Sequence, residues 1–337
     1  MKKLCAAVAL CLSLAGTGFA GDAGVVATIF PVYDWIREIT KGSDVKIILL
    51  LDKGVDLHSY QPSVQDIVKV AECDMFVYVG GESDEWVSDA LKNSVNKSQI
   101  AVNLMQVLGE AVKPEEIVEG MEHDHYHNHN GEQHDYPHDE GNDKDHNHDH
   151  EDHHEHHEPE LDEHVWLSLR NAGKICSVLT ENLSALYPQH SQLFYDNLSH
   201  YLQKLSELDK AYSQTVSSSK RNTLLFADRF PFRYLVDDYG IKYYAAFSGC
   251  SAESEASFHT VKFLAEKVRE LNLPCVLTIE GAAHKIAQTV LASAQAKNHK
   301  VLVLDSMQSA ALRDVQAGKS YLSVMADNLQ ILKEALN

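Results

Sequence analysis

The chain has 337 residues, 44% of them hydrophobic, with 29 Lys and Arg against 49 Asp and Glu and a formal charge of −20. That length supports two lobes of ordinary domain size and a substantial core. Much of that charge falls within residues 121–160, and the remainder is only mildly acidic, which argues against nucleic acid and gives no basic patch for an anionic membrane.

Residues 1–20, MKKLCAAVALCLSLAGTGFA, open with Lys2 and Lys3, continue through an apolar run of about 16 residues and close on Gly18, Phe19 and Ala20. They read as a secretory signal cut after Ala20, since the apolar run falls short of the ~20 residues a spanning helix needs. Leu10 before Cys11 is a poor match to a lipoprotein signal. The expectation is an exported protein, periplasmic and not itself membrane-spanning, acting as a monomer.

From Val25 short apolar runs alternate with amphipathic stretches. VVATIF predicts a strand, the residues from about Val32 to Thr40 a helix, VKIILLL a strand, SVQDIVKVAE a helix and MFVYVG a strand. The same alternation returns after residue 222: TLLFAD, a helix around Phe232 to Asp238, IKYYAAF, the helix TVKFLAEKVREL, CVLTIE, a helix around Ile286 to Ala296, VLVLD and a closing helix from about Tyr321 to Ala335. Such alternation predicts parallel sheets with helices on their faces, hence two α/β lobes. Between them, a helical stretch from about Asn171 to Val216 breaks at Tyr187 and Pro188. Its second part, from His190, would run roughly 40 Å at 1.5 Å per residue, long enough to be a stiff spine between the lobes. The expected division is a first lobe over 21–168, a helical segment over 169–217 and a second lobe over 218–337.

The first lobe carries an insertion of unusual composition. Between Met121 and Glu160 stand thirteen histidines: His123, His125, His127, His129, His134, His138, His146, His148, His150, His153, His154, His156 and His157. Fourteen Asp or Glu and the single Lys144 leave this 40-residue segment at −13 with almost no aliphatic side chain to bury, so it is expected to be a disordered, solvated loop. A purely solubilising loop has no reason to place His at every second or third position. Imidazole is the commonest neutral ligand for first-row transition metals, so the run points to divalent-metal handling, with Zn²⁺ favoured.

Outside the loop, metal ligands are sought just past strand ends, where open α/β sheets bind ligands. His58 follows VKIILLLDKGVDL, His164 stands in LDEHVW at the loop exit, Asp228 ends TLLFAD and Asp305 ends VLVLD. Each alone has a plainer reading, as a surface histidine, the last of the His-rich run, or a helix-capping aspartate. Their joint placement makes a four-residue site that Zn²⁺ or Mn²⁺ could occupy. Four cysteines remain after processing, Cys73, Cys176, Cys250 and Cys275. An oxidising compartment permits a disulfide, for which Cys250 and Cys275 are the first choice, and isolated buried thiols are the alternative.

The stretches GVDLHSYQPSVQDIVKVAECDMFVYVGGESDEWV, LDEHVWLSLRNA, FRYLVDDYGI, SAESEASF, VLTIE, LDSMQ and SYLSVMADNL resemble the metal-binding subunits of bacterial ABC importers for zinc and manganese. The resemblance runs in order over nearly the whole mature chain, and its most specific parts are H-x-Y-x-P-S and E-H-V-W-L-S. It implies two lobes joined by one long rigid helix, a metal site in the cleft between them, and a membrane permease of an ABC importer as partner. It also implies that His58 and His164 are ligands from the first lobe, with a third His or Glu and a fourth Asp from the second. Asp305 matches the fourth position. At the third, where relatives read H-D-A-F-x-Y-F, this chain reads Ala227-Asp228-Arg229-Phe230-Pro231-Phe232. Asp228 fits if one residue is inserted before Phe232, whereas an ungapped match brings Arg229, a permanent cation that cannot ligate. Glu280 matches a glutamate with a structural role in that family; His284 stands nearby, and His259 is expected exposed at a helix start.

These readings converge on a zinc receptor, Zn²⁺ being favoured because His-rich loops accompany the zinc branch. Manganese or iron import through the same fold and residues is the alternative. A metal store or chaperone acting through the loop is another. A zinc hydrolase is disfavoured: there is no H-E-x-x-H, and two carboxylate ligands would blunt the metal as a Lewis acid. The chain is expected not to be an enzyme.

Overall fold

The structure, a computed structural model, describes residues 24–121, 160–251, 255–281, 283–296 and 298–337. The leader and nearly all of the histidine-rich run lie outside them, and with them the expectations of a signal peptide and a disordered loop.

The first lobe is built from β1 (Val25–Ala27), α1 (Phe30–Ile39), β2 (Ile47–Leu49), α2 (Val64–Glu72), β3 (Met75–Tyr78), α3 (Trp86–Lys92), β4 (Ile100–Asn103) and α4 (Leu104–Leu108). Its sheet has the order β2-β1-β3-β4, every pair parallel. The helix of VQDIVKVAE starts where Ser63 and Asp66 form a reciprocal capping box. Of these elements α3, β4 and α4 were not expected. The run IAVN is only four residues long and Ala101 faces solvent, so it carries almost no apolar signal.

Two helices follow, α5 (Leu169–Leu186) and α6 (Ser191–Ser218), broken where Pro188 opens a single 3₁₀ turn. At 28 residues α6 is roughly 42 Å long. It buries Phe194, Leu198, Tyr201, Leu205 and Tyr212 in turn, reaching α1 near its start and the closing helix near its end.

The second lobe holds β5 (Thr223–Phe230), α7 (Arg233–Tyr239), β6 (Lys242–Ser248), α8 (Phe258–Glu270), β7 (Cys275–Ile279), α9 (Lys285–Ser293), β8 (Lys300–Leu304), α10 (Leu312–Gln316) and α11 (Tyr321–Ala335). Its sheet order, β6-β5-β7-β8, repeats that of the first lobe, again all parallel. One irregularity matters for the site. Phe226 pairs with Ala245 and Arg229 with Phe247, so β5 carries one residue more than β6 across Ala227 and Asp228. A bulge of this kind changes which way the following side chains face.

The apolar core is continuous from Val25 and Trp35 of the first lobe through Trp166 and α5 to Tyr321 and Leu332 of the second, while a separate cluster under α8 and α9 covers the far face of the second sheet. Buried polar groups tie the lobes together. Asp34 of α1 accepts the Tyr321 amide at 2.7 Å, the Tyr321 hydroxyl donates to the Trp166 carbonyl at 2.7 Å, and Trp166 Nε1 donates to the Ser306 carbonyl at 2.9 Å. Leaving any such buried group unpaired costs about 1–3 kcal/mol, so the set resists wide opening of the cleft. The expected fold, two parallel-sheet α/β lobes on a long helix, is the one observed. All four cysteines of the described residues are free thiols, and the pairing of Cys250 with Cys275 is not formed.

Candidate metal centre

His58 sits in a one-turn 3₁₀ helix after β2, and its backbone amide is capped by Asp56 Oδ1 at 3.0 Å. His164 comes from the segment leading into α5, fully buried. Asp162 fixes it twice: Oδ1 accepts the His164 amide at 2.8 Å and lies 2.9 Å from the ring Nδ1. An ionised carboxylate can only accept, so the Nδ1 of His164 carries the proton and its Nε2 keeps a lone pair.

His58 is oriented in the same way by different groups. Its Nδ1 lies 2.8 Å from Ser83 Oγ and 3.6 Å from Glu163 Oε2. Glu163 is itself held by the Ser83 amide at 2.9 Å, and its Oε2 is buried with no hydrogen-bond partner. The two Nε2 atoms lie 3.1 Å apart, within hydrogen-bonding distance, and border one shared volume.

Charge around the pair is acidic and poorly solvated. Burial, then the neighbouring His164, lowers His58 to about 3, which keeps its imidazole neutral and able to ligate at any ordinary pH. Burial raises Glu163, and raises Asp84 to about 7 with Glu163 adding to the effect. Asp84 accepts the amides of Val79 and Gly80, fixing the turn that follows β3. At Gly81, φ is +82° and a Cβ would collide with the Glu163 carboxylate, so only glycine lets that carboxylate approach.

The second lobe closes over the pair with a different set of groups. Cys250, just past β6, brings its Sγ within 4.8 Å of one ring nitrogen each of His58 and His164, and these three are the one group of three or more His, Cys or carboxylate metal donors among the described residues. Burial and the Glu115 carboxylate push its thiol well above the usual range, so it is protonated without an ion. Gln308 Nε2 lies 2.6 Å from His164 Nε2. That amide is presented by Glu280, which accepts from the Ser306 and Gln308 amides at 2.7 and 3.1 Å and from Ser306 Oγ at 2.8 Å. Glu280 thus does here the structural task that its match implied.

The four residues singled out from the sequence fare differently. His58 and His164 are brought together. Asp228 lies on the bulge of β5 and turns to its own sheet, accepting the amides of Arg229 at 2.9 Å and Ile279 at 3.2 Å. Asp305 pairs with Lys319 Nζ at 2.7 Å and accepts the Met307 amide at 2.8 Å. Arg229, the residue of the ungapped match, crosses the cleft to Asp56 Oδ2 at 2.8 Å and donates to the Ser251 carbonyl at 3.4 Å. Although burial acts to raise it, Asp56 stays below the carboxylate range because of that guanidinium. His259 is exposed at the start of α8, as expected, and His284 bonds Thr278 Oγ1 at 2.9 Å.

Cys250 and Gln308 escaped the sequence reading although the signal was there. FSGC ends at a strand terminus as LLFAD and VLVLD do, but the search asked only for His and carboxylates. Gln308 stands three residues past Asp305 and is invisible to any search restricted to charged or imidazole ligands.

With the geometry in hand, comparison with known proteins is informative. A family model described as zinc-uptake complex component A, periplasmic (ZnuA), matches residues 25–335. The zinc-binding lipoprotein AdcA of Streptococcus pneumoniae strain R6 is 30% identical over 317 residues, which cover 93% of this chain and 56% of AdcA. This chain therefore spans about half the length of the curated relatives it first matches. The high-affinity zinc uptake system protein ZnuA of Bacillus subtilis is 28% identical over 333 residues, 98% of this chain and 93% of that protein. Among solved structures, the Zn(II)-bound ZnuA-like domain of S. pneumoniae AdcA superposes with a TM-score of 0.67 at 27% identity, covering 94% of this chain and 99% of that one.

Proposed function

This chain belongs to the zinc-uptake complex component A family, and on that premise we propose that it captures Zn²⁺ outside the cytoplasm and passes it to the permease of an ABC importer. One observation carries the reading. The fully buried imidazole of His164 and the partly buried one of His58 meet with their Nε2 atoms 3.1 Å apart, while Asp162 and Ser83 hold their Nδ1 atoms. Orientation of ligating histidines by such outer groups is characteristic of zinc sites and strengthens the ligand nitrogen as a base.

Capture draws on the surrounding charge. Asp56, Asp162 and Glu163 make the site attractive to a dication, and burial strengthens that attraction by excluding water. A bound ion would also compensate the unpartnered Glu163 oxygen. Asp305, paired with Lys319, and Asp228, accepting the Ile279 amide, keep lone pairs that could add oxygen donors to the site. Release is expected from small lobe shifts, because α6 and the buried hydrogen bonds between lobes leave little freedom for a wide hinge.

The thirteen histidines from His123 to His157 lie outside the described residues. From the sequence alone we assign them an accessory part, holding ions weakly beside the cleft. Export through a cleaved leader to the periplasm, action as a monomer and the absence of a catalytic role complete the proposal. Among the described residues no helix is long and apolar enough to cross a membrane.

The test is zinc uptake in a bacterium deprived of its own receptor and supplied with the matching permease. The wild-type chain should restore growth under chelation, and the double variant His58→Ala, His164→Ala should not. Equal restoration by both would remove the cleft from the account.

A further inference from the structure

Cys250 brings a thiol beside the imidazoles of His58 and His164, and three separate contacts hold it there. Gly249 is pressed so closely on the His164 ring that a Cβ would lie 2.9 Å from its Cε1 and from the Phe230 carbonyl. The Cys250 amide donates to Glu115 Oε1 at 3.0 Å. Arg229 reaches the Ser251 carbonyl while pairing with Asp56 of the other lobe. The backbone from 249 to 251 is thus anchored to a ligating histidine, to the first lobe and to the residue standing where a third imidazole was sought.

A four-coordinate zinc ion takes nitrogen at about 2.0–2.1 Å and sulfur at about 2.3 Å, which places donors roughly 3.3–3.8 Å apart. The Nε2 atoms at 3.1 Å need to part slightly, and Sγ, within 4.8 Å of one ring nitrogen of each histidine, needs only to close on them. Both are side-chain adjustments.

We propose that Cys250 supplies the third protein ligand as a thiolate, so that the cleft is a two-imidazole, one-thiolate site. The inference rests on the zinc-receptor reading of this cleft and deepens it. On binding, the Sγ–H bond breaks, the sulfur electron pair forms the metal–sulfur bond and the proton leaves to solvent. Arg229, unable to ligate, acts as a positioning residue for the Cys250 loop. Sulfur donors favour Zn²⁺ and other borderline or soft ions over Mn²⁺, whose preference is for oxygen. The cargo class is therefore narrowed by one residue outside the histidine-rich run.

Cobalt reports the ligand directly, because a thiolate bound to Co²⁺ gives a near-ultraviolet charge-transfer band and imidazole does not. The full-length mature chain is suitable, since residues 121–160 contain no cysteine. The reduced apoprotein would be loaded with one equivalent of Co²⁺, then titrated with Zn²⁺ against a chelator, alongside Cys250→Ser and, as a control, Cys275→Ser. The proposal expects the band in wild type and in Cys275→Ser, its loss in Cys250→Ser, and zinc affinity at least about ten-fold weaker in Cys250→Ser. It also expects Zn²⁺ to protect Cys250 from iodoacetamide in the wild-type chain, read by peptide mass, which does not depend on the variant folding. Tight zinc in both wild type and Cys250→Ser, with no thiolate band, would overturn the thiolate and leave the receptor standing. Absence of tight zinc from the wild-type chain would overturn the receptor reading itself.

Discussion

The two lobes build their halves of the cleft on opposite terms. In the first lobe every group serves orientation: Asp162, Glu163 and Ser83 fix the two imidazoles, and Gly81 exists to let Glu163 approach. In the second lobe Asp228 bonds its own sheet and Asp305 pairs with Lys319, while Arg229 reaches Asp56 and the Cys250 thiol lies beside the histidines. A half-site of closely packed, pre-oriented imidazoles binds at little reorganisation cost. The other half has to lose a proton or exchange an ion pair, and the choice of metal is decided there.

The largest effect that could break this contrast comes from His164→Ala. Removing a fully buried ligand whose Nδ1 is already fixed should abolish tight zinc, a loss well beyond the 10–100-fold typical of outer partners. Competition titration with a chelator would read it, and retention of affinity within ten-fold would mean that the ion sits elsewhere.

Next in size is the orienting layer. Asp162→Asn and Glu163→Gln should each weaken zinc by about 10–100-fold without loss of fold. If the comparison is sound, Lys319→Met should matter far less, because it frees only Asp305. A gain of ten-fold or more in Lys319→Met would instead make Asp305 a ligand and shift weight to the second lobe's carboxylates.

A third prediction separates binding from the scaffold. Burial raises Asp34 to about 6, with the Tyr321 amide and Arg37 opposing. Between pH 4 and 6 the folded chain keeps a proton that the unfolded chain releases. Stability from this group is therefore greatest below pH 4 and falls as pH rises through 6, by about 3 kcal/mol over the full span. Asp34→Asn keeps an acceptor for the Tyr321 amide and should flatten that slope in urea denaturation of the apoprotein. An unchanged slope would assign the pH dependence to other carboxylates.

The smallest effect expected is on Arg229→Met. Its pair with Asp56 is partly exposed, so its loss should cost on the order of 1 kcal/mol or less in stability. Its influence should appear instead as faster alkylation of Cys250 in the apoprotein, measured by peptide mass against wild type.

How much of this was legible follows the same division. The strands VVATIF, MFVYVG and VLVLD, the capped helix after Ser63 and the closing helix from Tyr321 are strong local patterns, and the lobes follow from them. His58 and His164 were legible because each is an imidazole at a chain position where α/β sheets bind ligands. Asp228 and Arg229 were not resolvable from spacing alone, since the answer depends on where the extra residue of β5 is absorbed. The sheet takes it up as a bulge across Ala227 and Asp228, sending Asp228 to β7 and Arg229 across the cleft. Cys250 stands just past a strand end, as the expected ligands do, but a thiol there reads first as half of a disulfide. The strand Ile100–Asn103 was missed because four residues with one exposed give no periodicity to read.

The central claim is that the tight ion belongs to the cleft and not to the histidine-rich run. Glu115 N donates to Glu160 O at 2.8 Å and Asp162 N to Lys113 O at 2.9 Å, which holds the segment before His164 against residues 113–115, and the test replaces residues 122–159 by a Gly-Ser link from Met121 to Glu160. The shortened apoprotein would be titrated with Zn²⁺ against a competing chelator, with Mn²⁺ in parallel and His58→Ala as control. The account predicts one tight Zn²⁺ per chain, preferred over Mn²⁺ and lost in His58→Ala. No tight ion in the shortened chain, with several weak ones in the full chain, would contradict it.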